Sequence, residues 1–158
     1  MITTVTINPA VDYTVKTEKL ELGEVNRVDF LAKAAAGKGI NVAKAVKNLN
    51  KKTKALACVG GATGKYIEEQ LKSIGISTDF NWVENETRIN FKIVDNLKQE
   101  TKINQSGMEL SEKNLEKMYD KIIREANYSD ILVLAGSLPT NTSDDFYQNL
   151  ITEVNSQD

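Results

Sequence analysis

Hydrophobic and polar positions along the chain switch between a period of two and a period near 3.6. "ITTVTI", residues 2–7, is β-branched and alternating, which predicts a strand. "NPAVDY" follows as a turn, with Pro9 limiting any ladder. Residues 39–49 carry Ile40, Ala43, Val46 and Leu49 at helical spacing. "KALACV", residues 54–59, predicts a second strand ending at Gly60-Gly61, and Ile67, Leu71 and Ile74 mark an amphipathic helix stopped by Gly75. "RINFKIV" and "ETKINQ" predict two antiparallel strands joined around residues 95–99. Ser111 is the expected N-cap of a helix whose Leu115, Met118, Ile122 and Ala126 share a face. "DILVLA", residues 130–135, is continuously apolar, as a parallel strand buried on both faces would be. Thr142 or Ser143 then caps a last helix, with Asp144 and Asp145 in its first turn.

Strands and helices taking turns imply an α/β fold, a mainly parallel sheet covered by helices. The regions around residues 18–35 and 85–106 are polar and strand-like and predict a small separate sheet. In such folds ligands sit outside the carboxyl ends of the parallel strands. "NPAVD", "GGATG" and "GSLPT" are polar turns that follow predicted strands, while "AAAGKGINVAKAV", residues 34–46, follows the small sheet and opens a helix. Glycines at 37 and 39 expose backbone N–H groups and permit positive φ, and Lys38 adds a cation; a plain flexible turn is the other reading. Neither standard nucleotide loop fits. The Walker A pattern lacks its first glycine and its hydroxyl residue, and Val42 stands where a dinucleotide fingerprint has its third glycine.

Composition narrows the chemistry. With 158 residues, 41% hydrophobic and 27% charged, the expectation is one soluble globular unit. A net charge of −2 gives no basic field for nucleic acid or an anionic membrane. No apolar run approaches the roughly 20 residues of a membrane span, and "MITTVTINPAVD" lacks the basic and apolar regions of a signal peptide, so a cytoplasmic location is expected. There is no histidine and one cysteine, Cys58, which excludes Ser–His and Cys–His nucleophiles, an internal disulfide and most zinc sites. The four Asn-x-Ser/Thr matches, at residues 85, 104, 127 and 141, are expected by chance.

"TVTINPAVDYTV", "LGEVNRV", "AGKGINVAKAVKNL", "ETRIN", "ETKIN" and "LAGSLP" occur in that order. Together they closely resemble the N-terminal half of the ribokinase-like sugar kinases of the phosphofructokinase B group, over essentially the whole chain. The resemblance implies a ribokinase-like three-layer α/β domain with a small β-sheet lid, here near residues 12–35 and 86–106. It implies transfer of the γ-phosphoryl group of ATP, with Mg²⁺, to a sugar-phosphate hydroxyl. The members most similar act on fructose 1-phosphate, giving fructose 1,6-bisphosphate; those acting on tagatose 6-phosphate come second. A homodimer formed through the lid is implied as well.

Residue by residue, Asp12 matches the carboxylate that accepts hydrogen bonds from sugar hydroxyls; alone it reads as a turn cap. Gly37, Lys38 and Gly39 match a glycine-rich substrate loop, with Ala36 in place of a glycine common in relatives. Lys38 would pair with the substrate phosphate, against a solvated lysine. Asn41 matches a sugar-contacting amide, against a solvated helix position. Arg88 matches a basic substrate residue whose fork suits phosphate oxygens; a lid-edge charge is the plainer reading. Ser137, in "GSLP", matches a substrate-side position, against simple turn chemistry. Arg27 reads equally as a surface residue or as one reaching across a dimer.

In this family the catalytic base is an Asp in a Gly-Ala-Gly-Asp motif of the C-terminal half, which also supplies the anion hole. That motif is not in these 158 residues. "NWVE", residues 81–84, fits the metal-associated Asn-x-x-Glu pattern but precedes the lid, and is expected to be coincidence. The expectation is therefore that residues 1–158 are the N-terminal part of one such domain, with no catalytic base, little affinity for ATP or Mg²⁺, and no turnover alone. A sugar-phosphate-binding module and a self-associating fragment are the other two classes.

Overall fold

The structure, a computed structural model, describes residues 1–156, so the last two residues of the expected 1–158 unit lie outside the described residues. In chain order the elements are β1 (Ile2–Thr6), β2 (Ala10–Lys16), β3 (Asp29–Ala36), α1 (Lys38–Asn48), β4 (Thr53–Gly60), α2 (Gly61–Ser73), β5 (Ser77–Thr78), β6 (Asn81–Val83), β7 (Ile89–Val94), β8 (Glu100–Asn104), α3 (Glu112–Ala126), β9 (Ile131–Leu134) and α4 (Phe146–Asn155). Two sheets result. The first runs β5-β4-β1-β9, with β6 also paired to β4, and every pairing in it is parallel. The second runs β3-β2-β7-β8, antiparallel except where β2 meets β7. No helix among the described residues is long and apolar enough to cross a membrane.

Alternation along β4 divides the interior. Ala55, Ala57 and Val59 join Ile40 and Ala43 of α1 and Ile67 and Leu71 of α2 in one core. Leu56 and Cys58 join Val5, Ile7, Met118 and Ile122 of α3, and Phe146 and Leu150 of α4 in the other. Helices therefore cover both faces, the three layers expected of a strand buried on both sides. The small alanines on the first face let α1 and α2 come close. Buried Lys121 and Glu125 also hold α3 in place. Lys121 pairs with Asp79 and donates to Phe80 O at 3.2 Å, and Glu125 accepts from Lys54 at 2.7 Å.

Four local expectations change. "NPAVDY" is a turn only up to Pro9; from Ala10 it is strand β2, whose Val11 and Val15 supply buried apolar positions. "GGATG" is not a loop, because α2 begins at Gly61 directly after β4. β9 pairs in parallel with β1 as expected, but it ends the sheet path among the described residues and is not buried on both faces; Ile131 is 53% exposed. The last helix starts at Phe146 with Asp145 as its cap residue, so neither Thr142 nor Ser143 caps it and the two aspartates precede its first turn. By contrast, Ser111 does cap α3, its hydroxyl accepting from Asn114 N at 3.2 Å. The "RINFKIV" and "ETKINQ" strands pair antiparallel in the expected hairpin.

The contact between α1 and β1 yields one prediction. A Cβ at Gly39 would fall 2.6 Å from Thr6 Oγ1 and nearer still to Val5 O. Neither can withdraw, since Thr6 Oγ1 accepts from Ile40 N at 3.0 Å and Val5 is in the central strand. Gly39→Ala is therefore expected to lower the unfolding free energy by about 1–3 kcal/mol, the usual cost of overpacking, measured by urea denaturation. A second prediction concerns Cys58. It is wholly buried, and burial pushes its thiol up to about 12. The thiolate is the reactive form. A thiol-specific chromogenic reagent should label the native chain only on the timescale of unfolding, and labelling as fast as for a free thiol would contradict the burial.

Candidate functional site

The carboxyl ends of β1 and β9, the start of α1 and the inner face of the second sheet converge on one cleft of about 440 Å³. Gly37, immediately before α1, has φ 137°, a conformation side-chain-bearing residues rarely adopt. A Cβ there would also lie 2.6 Å from Thr6 Cγ2. α1 has no side-chain cap of its own; the Thr6 hydroxyl serves that purpose by accepting from Ile40 N. Lys38 and Asn41 are exposed on the first turn and line the cleft. Opposite them, the chain leaving β9 at Leu134 passes through Ala135 to Gly136, φ 105°, and then Ser137.

The second sheet supplies the other wall. Asp12 of β2 stands in register with Asn90 of β7, and Asn90 with Asn104 of β8, so the three polar side chains form a row across neighbouring strands. Asn90 Nδ2 donates to Asp12 Oδ1 at 2.9 Å. Arg88 lies just before β7. Its Nε donates to Pro9 O at 3.4 Å, one terminal nitrogen to Asn8 O at 3.1 Å and the other to Gln105 O at 3.4 Å. Three of the five guanidinium N–H groups are thus used and two remain. Burial pulls the Arg88 pKa down, and the Asp12 charge opposes that shift. Lys44, half-buried one turn beyond Asn41, is shifted the same way by the same two causes and donates to Ala35 O.

The root of β7 is fastened separately. Thr87 Oγ1 accepts from Gly60 N at 2.9 Å, and the Thr63 hydroxyl shares its one proton between Thr87 O, at 2.7 Å, and the Glu86 carboxylate. The Glu86 carboxylate accepts from Thr63 N at 2.6 Å and from the Thr63 hydroxyl, contacts that hold its pKa below the usual value. Side chains at Gly60 or Gly61 would collide with Asn85 O or with the Glu86 carboxylate. Arg88 therefore emerges from a segment bolted to the start of α2.

Of the residues proposed from sequence, Asp12, Gly37, Lys38, Asn41, Arg88 and Ser137 all line this cleft. Gly39 does not; it is buried against β1, and its lack of a side chain serves helix packing. Arg27 lies in another cleft of about 580 Å³ along the loop between β2 and β3. Sequence reasoning missed Asn8, Asn90, Asn104 and Gly136. Asn90 and Asn104 end the paired strings "RIN" and "KIN", and their register is the signal that was available. Chemically the cleft offers one carboxylate, Asp12, the cations Lys38 and Arg88, several amides and one hydroxyl. That set suits a ligand carrying both an anionic group and hydroxyls. No group of three His, Cys, Asp or Glu side chains among the described residues is placed to hold a metal ion.

Residues 4–158 match the model of the pfkB family of carbohydrate kinases. A 1-phosphofructokinase of Bacillus subtilis is 38% identical over 99% of this chain and 51% of its own length. A tagatose-6-phosphate kinase of Staphylococcus epidermidis is 32% identical over 99% of this chain and 50% of its own. A Thermotoga maritima crystal structure described as a possible 1-phosphofructokinase superposes with a TM-score of 0.89 at 31% identity, covering 99% of this chain and 51% of that one. Phosphofructokinase-2 of Escherichia coli shares the fold, with a TM-score of 0.91 at 24% identity. The chain spans about half the length of the curated relatives it matches. Because the match runs from β1 through every later strand and helix, taking in the cleft, this chain belongs to the pfkB family of carbohydrate kinases.

Proposed function

We propose that this chain is the substrate-binding half of a sugar-phosphate kinase whose whole form transfers the γ-phosphoryl group of ATP to fructose 1-phosphate, giving fructose 1,6-bisphosphate. The observation that carries the reading is the meeting of Asp12, Lys38, Asn41, Arg88 and Ser137, from four separate stretches of chain, around one cleft. Asp12 takes hydrogen bonds from sugar hydroxyls, Arg88 and Lys38 hold the phosphate, and Asn41 and Ser137 complete the polar lining. Gly37 lets the backbone at the start of α1 approach the ligand. The 38% identity to a 1-phosphofructokinase, against 32% to a tagatose-6-phosphate kinase, supports fructose 1-phosphate over tagatose 6-phosphate.

In the whole enzyme ATP supplies the transferred group and Mg²⁺ screens its charge. The described residues do not fit the metal: no three of their His, Cys, Asp or Glu side chains are placed to hold one, and Asp12, the one carboxylate among the described residues lining the cleft, is engaged with Asn90. We assign the base, the metal and the nucleotide to the half outside these residues, and the isolated chain is inactive on this reading. The second sheet acts as the lid, its inner face carrying Asp12 and Asn90. Its outer face carries Tyr13, Phe30, Phe91 and Ile103, the last three 62%, 42% and 55% exposed, and it is the surface we propose for a homodimer.

Titration calorimetry of the 158-residue chain with fructose 1-phosphate should show saturable binding. Arg88→Ala should weaken it by about 1.5–3 kcal/mol, the range for a charge-assisted contact. A folded chain with no saturable binding overturns the reading. The lid has its own test. Phe91→Lys should convert a sedimenting dimer to monomer without removing the bound sugar phosphate, whereas a wild-type monomer at all concentrations rejects the interface.

A further inference from the structure

The polar row on the inner face of the second sheet does more than line a wall. Asp12 and Asn90 are 78 residues apart in sequence and meet only because β2 and β7 pair in parallel at this register. A slip of one residue would send one of them to the opposite face. The orientation of the Asn90 amide follows from chemistry: Nδ2 faces the Asp12 carboxylate, because Oδ1 there would set two acceptors against each other. That leaves Asn90 Oδ1 buried with no hydrogen-bond partner. A buried acceptor without a donor destabilises a fold unless a ligand or water meets it. Asp12 Oδ2 likewise takes no hydrogen bond from the described residues, and both residues border the cleft.

We propose that Asn90 is a positioning residue that holds Asp12 by one oxygen, so that Asp12 Oδ2 and Asn90 Oδ1 together receive hydroxyl donors of the ligand. The inference rests on the reading of the cleft as a sugar-phosphate site and adds to it a basis for choosing among phosphate esters. Lys38 and Arg88 recognise any phosphate ester. The Asp12–Asn90 pair adds affinity for esters with hydroxyls near the phosphate and nothing for those without. A carboxylate held at one oxygen loses its free rotation, which is the advantage of fixing the geometry before the ligand arrives.

Asn90→Asp supplies a test that a purely structural role would not pass. Two carboxylates this close share a proton; while it is held, the acid donates to Asp12 as the amide does, and once it leaves, the pair repels. The charged groups around them are Lys44 on α1 and Arg88 before β7, with Lys38 across the cleft. Lys92 lies two residues beyond Asn90 on β7, Lys102 stands opposite Lys92 on β8, and Lys92 is paired with Glu100. These cations lower the pH at which the proton leaves but do not change the direction. Fructose 1-phosphate affinity of the 158-residue variant, divided by that of wild type at each pH to cancel the phosphate's own titration, should fall by about tenfold between about pH 5 and pH 8. Asn90→Ala provides the second arm. It should weaken fructose 1-phosphate by about tenfold and leave methyl phosphate, which carries no hydroxyl besides its phosphate, unchanged. A flat Asn90→Asp ratio, or equal loss of both ligands in Asn90→Ala, overturns the inference while the site reading stands. Wild-type chain that binds neither ligand overturns both, and if Asn90→Asp does not fold, the Asn90→Ala comparison decides.

Discussion

The close approach of α1 to the end of β1 is the constraint from which the site follows. A helix normally brings its own cap, and α1 has none. Instead the Thr6 hydroxyl, on the neighbouring strand, accepts from Ile40 N, and Gly39 removes the side chain that would hold helix and strand apart. The helix start is thereby fixed to the carboxyl end of the central strand. Lys38 and Asn41 project beside the cleft because of it, and Gly37, at φ 137°, turns the chain from β3 into the helix within one residue. A bulkier residue at either glycine would move the helix away from the site as well as strain it.

A second attachment complements the first. The small sheet is fastened to α2 at two of its strands. The root of β7 is held by Glu86 and Thr87 on the first turn of α2. β3 is held by Tyr66, whose hydroxyl donates to Lys33 O at 2.9 Å while Lys33 Nζ lies 3.9 Å from the centre of its ring. Gly60 and Gly61, which looked like a ligand turn, serve this joint: their missing side chains make room for residues 85 and 86. Two pairs of glycines thus have different duties, one to close the main layer over the site and one to seat the sheet that carries Asp12 and Arg88.

This division explains what sequence could and could not show. Hydrophobic period made the layers legible, because Ala55, Ala57 and Val59 against Leu56 and Cys58 is a local pattern with one three-dimensional meaning. Six of the seven proposed site residues reached the cleft because ordered motifs carried them. The glycines were legible as glycines but not in purpose; whether a Cβ would meet ligand, strand or carboxylate depends on residues far along the chain. The "RIN" and "KIN" strings hinted that Asn90 and Asn104 pair, but the place of Asn90 opposite Asp12 was hidden for the same reason. Nothing near it in sequence says that it faces Asp12, and the register of two strands 78 residues apart settles that. Lys121 and Glu125 escaped too, since on a helix they look like solvated charges until Asp79 and Lys54 are brought against them.

The electrostatics of the cleft bind these pieces into one argument. Arg88 and Lys44 are each partly removed from water, and each is shifted toward the neutral form by that burial. Among the described residues the carboxylate that acts on both is Asp12, which stands against two cations at once and is also held by the Asn90 amide. The carbonyl oxygens that Arg88 and Lys44 contact supply partial charge but no full negative charge. A region with more cation than anion, in partial burial, is relieved most by an incoming dianion, while a neutral sugar would leave the imbalance in place. On the sugar-phosphate reading proposed above, this imbalance gives the order of preference: an anionic group toward Arg88 and Lys38, and hydroxyls toward Asp12.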